Sequence, residues 1–73
     1  MTKKENQTAI NIGSQLTKAR MELSLKQSDL EKEGLISQSL LSKFEHGLLT
    51  VSASKLYELA RRYNKPMEYF FTK

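Results

Sequence analysis

A chain of 73 residues with 38% hydrophobic and 27% charged side chains has the make-up of one ordinary globular domain, and so short a chain buries only about 60% of its unfolded surface, too little for a deep catalytic cleft. There is no cysteine and only one histidine, which excludes disulfides, thiolate metal sites and a histidine-paired metal. The longest apolar run, Tyr69–Phe71, is far too short to span a membrane, and Met1–Asn6 is basic without an apolar stretch of a secretory signal, so a cytoplasmic location is expected. A net charge of +4 and a pI near 9.5 suit a polyanionic partner, although solvated helical proteins reach such values without one.

Residues 1–7, with Lys3 and Lys4, read as a flexible basic tail ahead of a domain over 8–73. Ile12, Leu16, Ala19 and Leu23 recur at helical spacing and predict a first helix over about 9–23, with Thr8 as its N-cap. A second helix is expected over about 27–33, with Leu30 inward, and it ends at Gly34, which tolerates the left-handed conformation of a helix stop. Ser37 caps a third helix over about 37–46, in which Leu41 and Phe44 face inward and Gly47 gives the stop. Ser52 caps a fourth helix over 53–63, carrying Leu56, Leu59, Ala60 and Tyr63, and Pro66 opens a last short helix presenting Met67, Tyr69, Phe70 and Phe71. Valine and isoleucine are too scattered for a sheet. The expected fold is an all-α, compact five-helix domain.

The second and third helices carry the functional signal. A short helix, a tight turn and a capped second helix make a helix-turn-helix outline. On the third helix Gln38, Ser39, Ser42 and Lys43, beside Ser37, project away from Leu41 and Phe44. These are donors and acceptors suited to base edges in a major groove, where a merely solvated face would more often carry Glu–Lys pairs. Helices also open at Lys26-Gln27, Ser37 and Ser52, where free amides and the positive dipole end suit phosphates; the plain alternative is that these residues are only caps. His46 reads as a surface or phosphate-contacting residue. The acidic residues form no recognised catalytic motif with serine and histidine, so the chain is read as a non-enzyme without metal or cofactor.

Four stretches, "IGSQLTKAR", "LKQSDL", "ISQSLLSKFEHG" and "LYELARRYNKPMEYFF", resemble the lambda-repressor-like helix-turn-helix domains of the XRE family over Ile12–Phe71. "FEHG" followed by "VSASKLYEL" further resembles the N-terminal domains of Rgg-type, peptide-responsive regulators. The resemblance implies phosphate binding by Gln27, base reading by Gln38, Ser39 and Lys43, and a salt bridge between Arg20 and Glu45 that joins the first helix to the end of the third. Two positions depart from the family pattern: Glu31 stands where a small alanine is usual, and Leu35 where the turn glycine is usual, with Gly34 one position earlier. Glu31 must therefore tilt outward, or the two helices must sit further apart.

Together these features point to a sequence-specific regulator of transcription that binds double-stranded DNA. It is expected to repress as a homodimer, with Leu48-Leu49 or Tyr69–Phe71 as the self-contact. The alternatives are an antitoxin-like interaction module, or the DNA-binding part of a larger regulator controlled by a protein or peptide effector.

Overall fold

The backbone is described over residues 2–71 in a computed structural model, with side chains from Gln7 onward. It comprises α1 (Thr2–Glu22), α2 (Gln27–Lys32), α3 (Gln38–Glu45), α4 (Ala53–Tyr63) and a closing 3₁₀ helix (Met67–Phe71). The fold is all-α as expected, with four α-helices and a 3₁₀ helix rather than five α-helices. The last segment is too short to establish an α ladder, and its Tyr69 N–H closes on the Pro66 carbonyl at 3.1 Å, the three-residue step of a 3₁₀ turn.

A second difference lies at the start of the chain. α1 begins at Thr2, so Thr8 lies inside it and is not its N-cap, and the stretch expected as a flexible tail is helical from Thr2. Apolar spacing only marks where a helix meets the core; good helix formers ahead of that point extend the helix without leaving a periodic trace. The side chains of Lys3 and Lys4, which made that stretch basic, lie outside those described.

Ile12, Leu16 and Ala19 supply the α1 face of the core, against Leu30, Leu41, Phe44, Leu56, Leu59, Tyr63 and Phe70. Leu23, expected on the same face, is 44% exposed. The reason is that α1 stops before it: Ser24 takes φ +57°, and Leu25 packs against the core instead. All four α-helices end the same way. Leu25, Leu35, Leu48 and Lys65 each donate a backbone N–H to the carbonyl five residues back, of Arg20, Leu30, Lys43 and Ala60. The residue before each, Ser24, Gly34, Gly47 or Asn64, is left-handed. Gly34 at φ +78° therefore does the work of the turn glycine, and Leu35 is free to be a half-buried core residue.

α1 crosses the C-terminal end of α3 at Gly13. A Cβ built there would meet the Phe44 carbonyl oxygen and stand 2.7 Å from that of Glu45. These are backbone atoms, so relief requires the helices to part. Gly13→Ala is expected to lower unfolding free energy by about 1–3 kcal/mol, as overpacking does, despite the better helix propensity of alanine. Urea denaturation followed by circular dichroism checks this, and an unchanged midpoint would remove the close approach from the account.

Candidate nucleic-acid interface

α3 is amphipathic because its sequence alternates by the helical turn. Leu41 is fully buried and Phe44 is 7% exposed, while Gln38, Ser39 and Lys43 are exposed and Ser42 is half-buried. Ser37 precedes the helix with extended backbone, and its Oγ accepts the Leu40 N–H at 3.1 Å. Its own O–H proton remains a donor. Ser52 caps α4 in the same manner, accepting from the Lys55 N–H at 3.2 Å. At the other end of α3, His46 Nδ1 lies 2.7 Å from the Ser42 carbonyl oxygen. A carbonyl only accepts, so that nitrogen carries the proton and Nε2 is left without an intramolecular partner among the described residues.

The last residue of α3 is the hub of the site. The Glu45 side chain is 4% exposed and that of Arg20 13%. Arg20 Nε donates to Glu45 Oε2 at 2.8 Å and Nη2 to Oε1 at 3.0 Å, a two-pronged pair across α1 and α3. The remaining terminal nitrogen of Arg20 donates to the Leu25 carbonyl at 2.7 Å, which holds the α1–α2 connection to the same guanidinium. Thr17 Oγ1 lies 3.1 Å from Glu45 Oε1 and 3.0 Å from the Gly13 carbonyl, so its single proton serves one or the other. The hydrogen bonds to Glu45 raise the Arg20 guanidinium above its ordinary range, against the opposing effect of burial. Burial, followed by the Glu45 charge, raises the Tyr63 phenol well above its ordinary value and keeps it neutral.

Gln27, the first residue of α2, belongs to this network: its Nε2 donates to Glu45 Oε1 at 3.0 Å. One of its two amide protons is thereby committed, and the other remains for an outside acceptor. Lys26, one residue earlier, is exposed; its backbone N–H donates to Asp29 Oδ2 at 2.8 Å. Neither Lys26 nor Lys43 forms an ion pair among the described residues.

Of the two accommodations open to Glu31, the outward tilt is the one adopted. Its side chain is exposed, and Oε1 accepts the Gln38 N–H at 3.3 Å, at the first residue of α3. Lys55 Nζ reaches from α4 to the Leu35 carbonyl at 2.9 Å and holds the turn between α2 and α3 from its other side. The structure thus brings Gln38, Ser39 and Lys43 onto one exposed surface, with Ser37 and Lys26 at helix starts. Ser42 and Gln27 are drawn partly inward.

Residues that motif reasoning missed are those that fasten this surface. Thr17 lies one turn from both Gly13 and Arg20, a small and polar stripe running beside the apolar one of Ile12, Leu16 and Ala19; that second stripe was the available signal. Gln15, 7% exposed and donating to the Tyr69 carbonyl at 3.1 Å, left no such trace.

Replacing one member of the pair isolates a buried charge. Arg20→Ala or Glu45→Ala is expected to cost roughly 3–5 kcal/mol, whereas the double replacement costs less than the sum. A double-mutant cycle by chemical denaturation checks both. Additive losses would mean that the two residues act independently.

A helix-turn-helix family profile (HTH_3) matches residues 16–70. A Rhodospirillum rubrum protein described as an uncharacterized transcriptional regulator in the ATPase CF(0) region is 32% identical over 62 residues, which cover 85% of this chain and 57% of that protein. The chain thus spans less than two thirds of this relative's length. No solved structure gives a significant match.

Proposed function

The chain belongs to the XRE-type helix-turn-helix family, and on that premise we propose that it is a sequence-specific double-stranded DNA-binding regulator of transcription whose α3 enters the major groove. The observation that carries this reading is the exposed face of Gln38, Ser39 and Lys43 on a helix whose opposite face is buried and whose C-terminal residue is fixed by Arg20. Reading bases needs side chains free to donate and accept on a helix held in one pose, and the exposed outer face together with the Arg20–Glu45 tie supports that role. Ser37 and Ser42 flank the base-reading face. Lys26, the second amide proton of Gln27 and Ser52 are assigned to backbone phosphates, and His46 joins them in its doubly protonated form, in which Nε2 also donates. The relative's description as a transcriptional regulator supports the same role, and occupancy of promoter DNA makes repression its simplest outcome.

Selection of bound sites from random duplex DNA tests the proposal. One preferred sequence with a symmetric pair of half-sites is expected, and binding of every duplex alike would overturn it. On the best site Gln38→Ala is expected to cost about 1–3 kcal/mol and to relax preference at one position. Lys26→Ala is expected to weaken all duplexes nearly equally and to lower the salt dependence by roughly one unit.

One small module on DNA buries only about 600–1,000 Å², so useful specificity calls for two copies with reading helices about 34 Å apart. Phe71 is 60% exposed beside the fully buried Phe70, while Leu48 and Leu49 are 71% and 44% exposed. The C-terminal surface is assigned as the self-contact. Sedimentation with a palindromic duplex is expected to show two copies per site, and Phe71→Asp to abolish the pairing. A single copy at saturation would overturn the dimer.

The length of the Rhodospirillum rubrum relative beyond the matched region favours one second reading: the DNA-binding part of a larger regulator whose remaining portion answers to a protein or peptide effector. Under that reading the reading face is the same, and its control lies elsewhere.

A further inference from the structure

Among the described residues, Glu31 is the one carboxylate held against the N-terminal end of α3. Its Oε1 rests 3.3 Å from the Gln38 N–H, and its other oxygen has no partner among the described residues, although the side chain is exposed. In a helix-turn-helix the first residues of the second helix contact the base edges. An ionised carboxylate in that place is acceptor-only. Within the major groove, the base groups that donate are the exocyclic amino groups of cytosine and adenine, whereas guanine N7 and O6 and thymine O4 accept. An acceptor anchored there therefore sorts bases by chemistry and is repelled by phosphate oxygens, which dominate non-specific binding.

We propose that Glu31 is a specificity-determining residue that accepts a hydrogen bond from an exocyclic base amino group beside the position read by Gln38 and disfavours binding to non-cognate duplexes. The capping bond to Gln38 holds one carboxylate oxygen and leaves the second for the base, so the side chain is oriented before DNA arrives. This inference rests on the DNA-reading proposal above.

The test compares wild type, Glu31→Gln and Glu31→Ala by site selection, and by fluorescence anisotropy on the selected and a scrambled duplex across a salt series. Circular dichroism melts confirm that each variant is folded. The wild type is expected to enrich cytosine or adenine at a position adjacent to the one relaxed by Gln38→Ala. Glu31→Ala is expected to lose that enrichment and to lower the selected-to-scrambled affinity ratio by about five-fold or more, mainly through tighter binding of the scrambled duplex. Glu31→Gln keeps an acceptor for the Gln38 amide but adds donors, so it is expected to admit guanine or thymine at that position. Should Glu31→Ala unfold, the altered preference of Glu31→Gln decides the matter alone. A wild type with a defined site, unchanged in both variants, overturns the role of Glu31 and leaves the DNA-reading proposal standing. A wild type with no preferred site overturns both.

Discussion

Burying the Glu45 carboxylate at 4% exposure is the constraint around which the reading unit is arranged. An ion taken out of water must be met by directed partners, and here they come from separate elements: Arg20 and Thr17 from α1 and Gln27 from α2. The apolar contacts of Leu41 and Phe44 are non-directional and would tolerate small rotations of α3. The two-pronged Arg20–Glu45 pair does not, because turning α3 strands a charge. Net stabilisation from such a pair is small; its effect is on pose. Gly13 is part of the same device, since without its close approach to the Phe44 and Glu45 carbonyls the Arg20 and Thr17 side chains would stand further from the end of α3.

The opposite end of α3 is held by different means. Ser37 satisfies one N-terminal amide and Glu31 another, while Lys55 fastens the preceding turn through the Leu35 carbonyl. In the family pattern a small residue at position 31 lets the helices meet. Here a long one bends out and makes a cap from α2 to α3, so close packing is replaced by a polar tie. The left-handed residue moves to Gly34, and Leu35 contributes apolar surface where a glycine would contribute none. Both ends of the helix are thus fixed by hydrogen bonds and its middle by the core, which leaves only the outer face unconstrained.

Much of this was legible in the sequence, and the reasons differ by element. α4 was legible because an N-cap serine opens an apolar stripe that runs to Tyr63, and the structure closes it with a left-handed Asn64. α3 was legible for the same reason, with Ser37 and Gly47 as its punctuation. The start of α1 was not, because a helix that outruns the core has no periodic signature. The 3₁₀ form of the last segment was also hidden, since Pro66 marks a helix start equally well for either type. For the site, the exposure of Gln38, Ser39 and Lys43 follows from the burial of Leu41 and Phe44 by helical geometry alone. The contact between Arg20 and Glu45, residues 25 apart in the chain, has no local cause and came only with the family resemblance. The inward turn of Gln27 was illegible for a related reason: a glutamine at a helix start presents the same donors to solvent, phosphate or a carboxylate, and only the position of Glu45 decides among them.

The distribution of paired charge bears on why a net charge of only +4 suits a polyanion. Three cations associated with α4 and its C-terminal end are matched by carboxylates: Lys55 with Glu58, Arg62 with Glu33 and Lys65 with Glu22. These are largely exposed pairs of little energetic weight, but they quench positive potential on that side. On the helix-turn-helix the carboxylates are engaged differently. Asp29 is engaged by the Lys26 backbone, Glu31 by the Gln38 backbone and Glu45 by Arg20, while the ammonium groups of Lys26 and Lys43 have no carboxylate partner among the described residues. Acids there hold the helices together, although Asp29 and Glu31 keep their charge because a backbone N–H is a neutral donor. With Lys26, Lys32 and Lys43 set against Asp29, Glu31, Glu33 and Glu45, this segment has no positive excess of its own. What it offers a phosphate backbone is the exposed ammonium groups of Lys26 and Lys43 at particular places, rather than a general positive field.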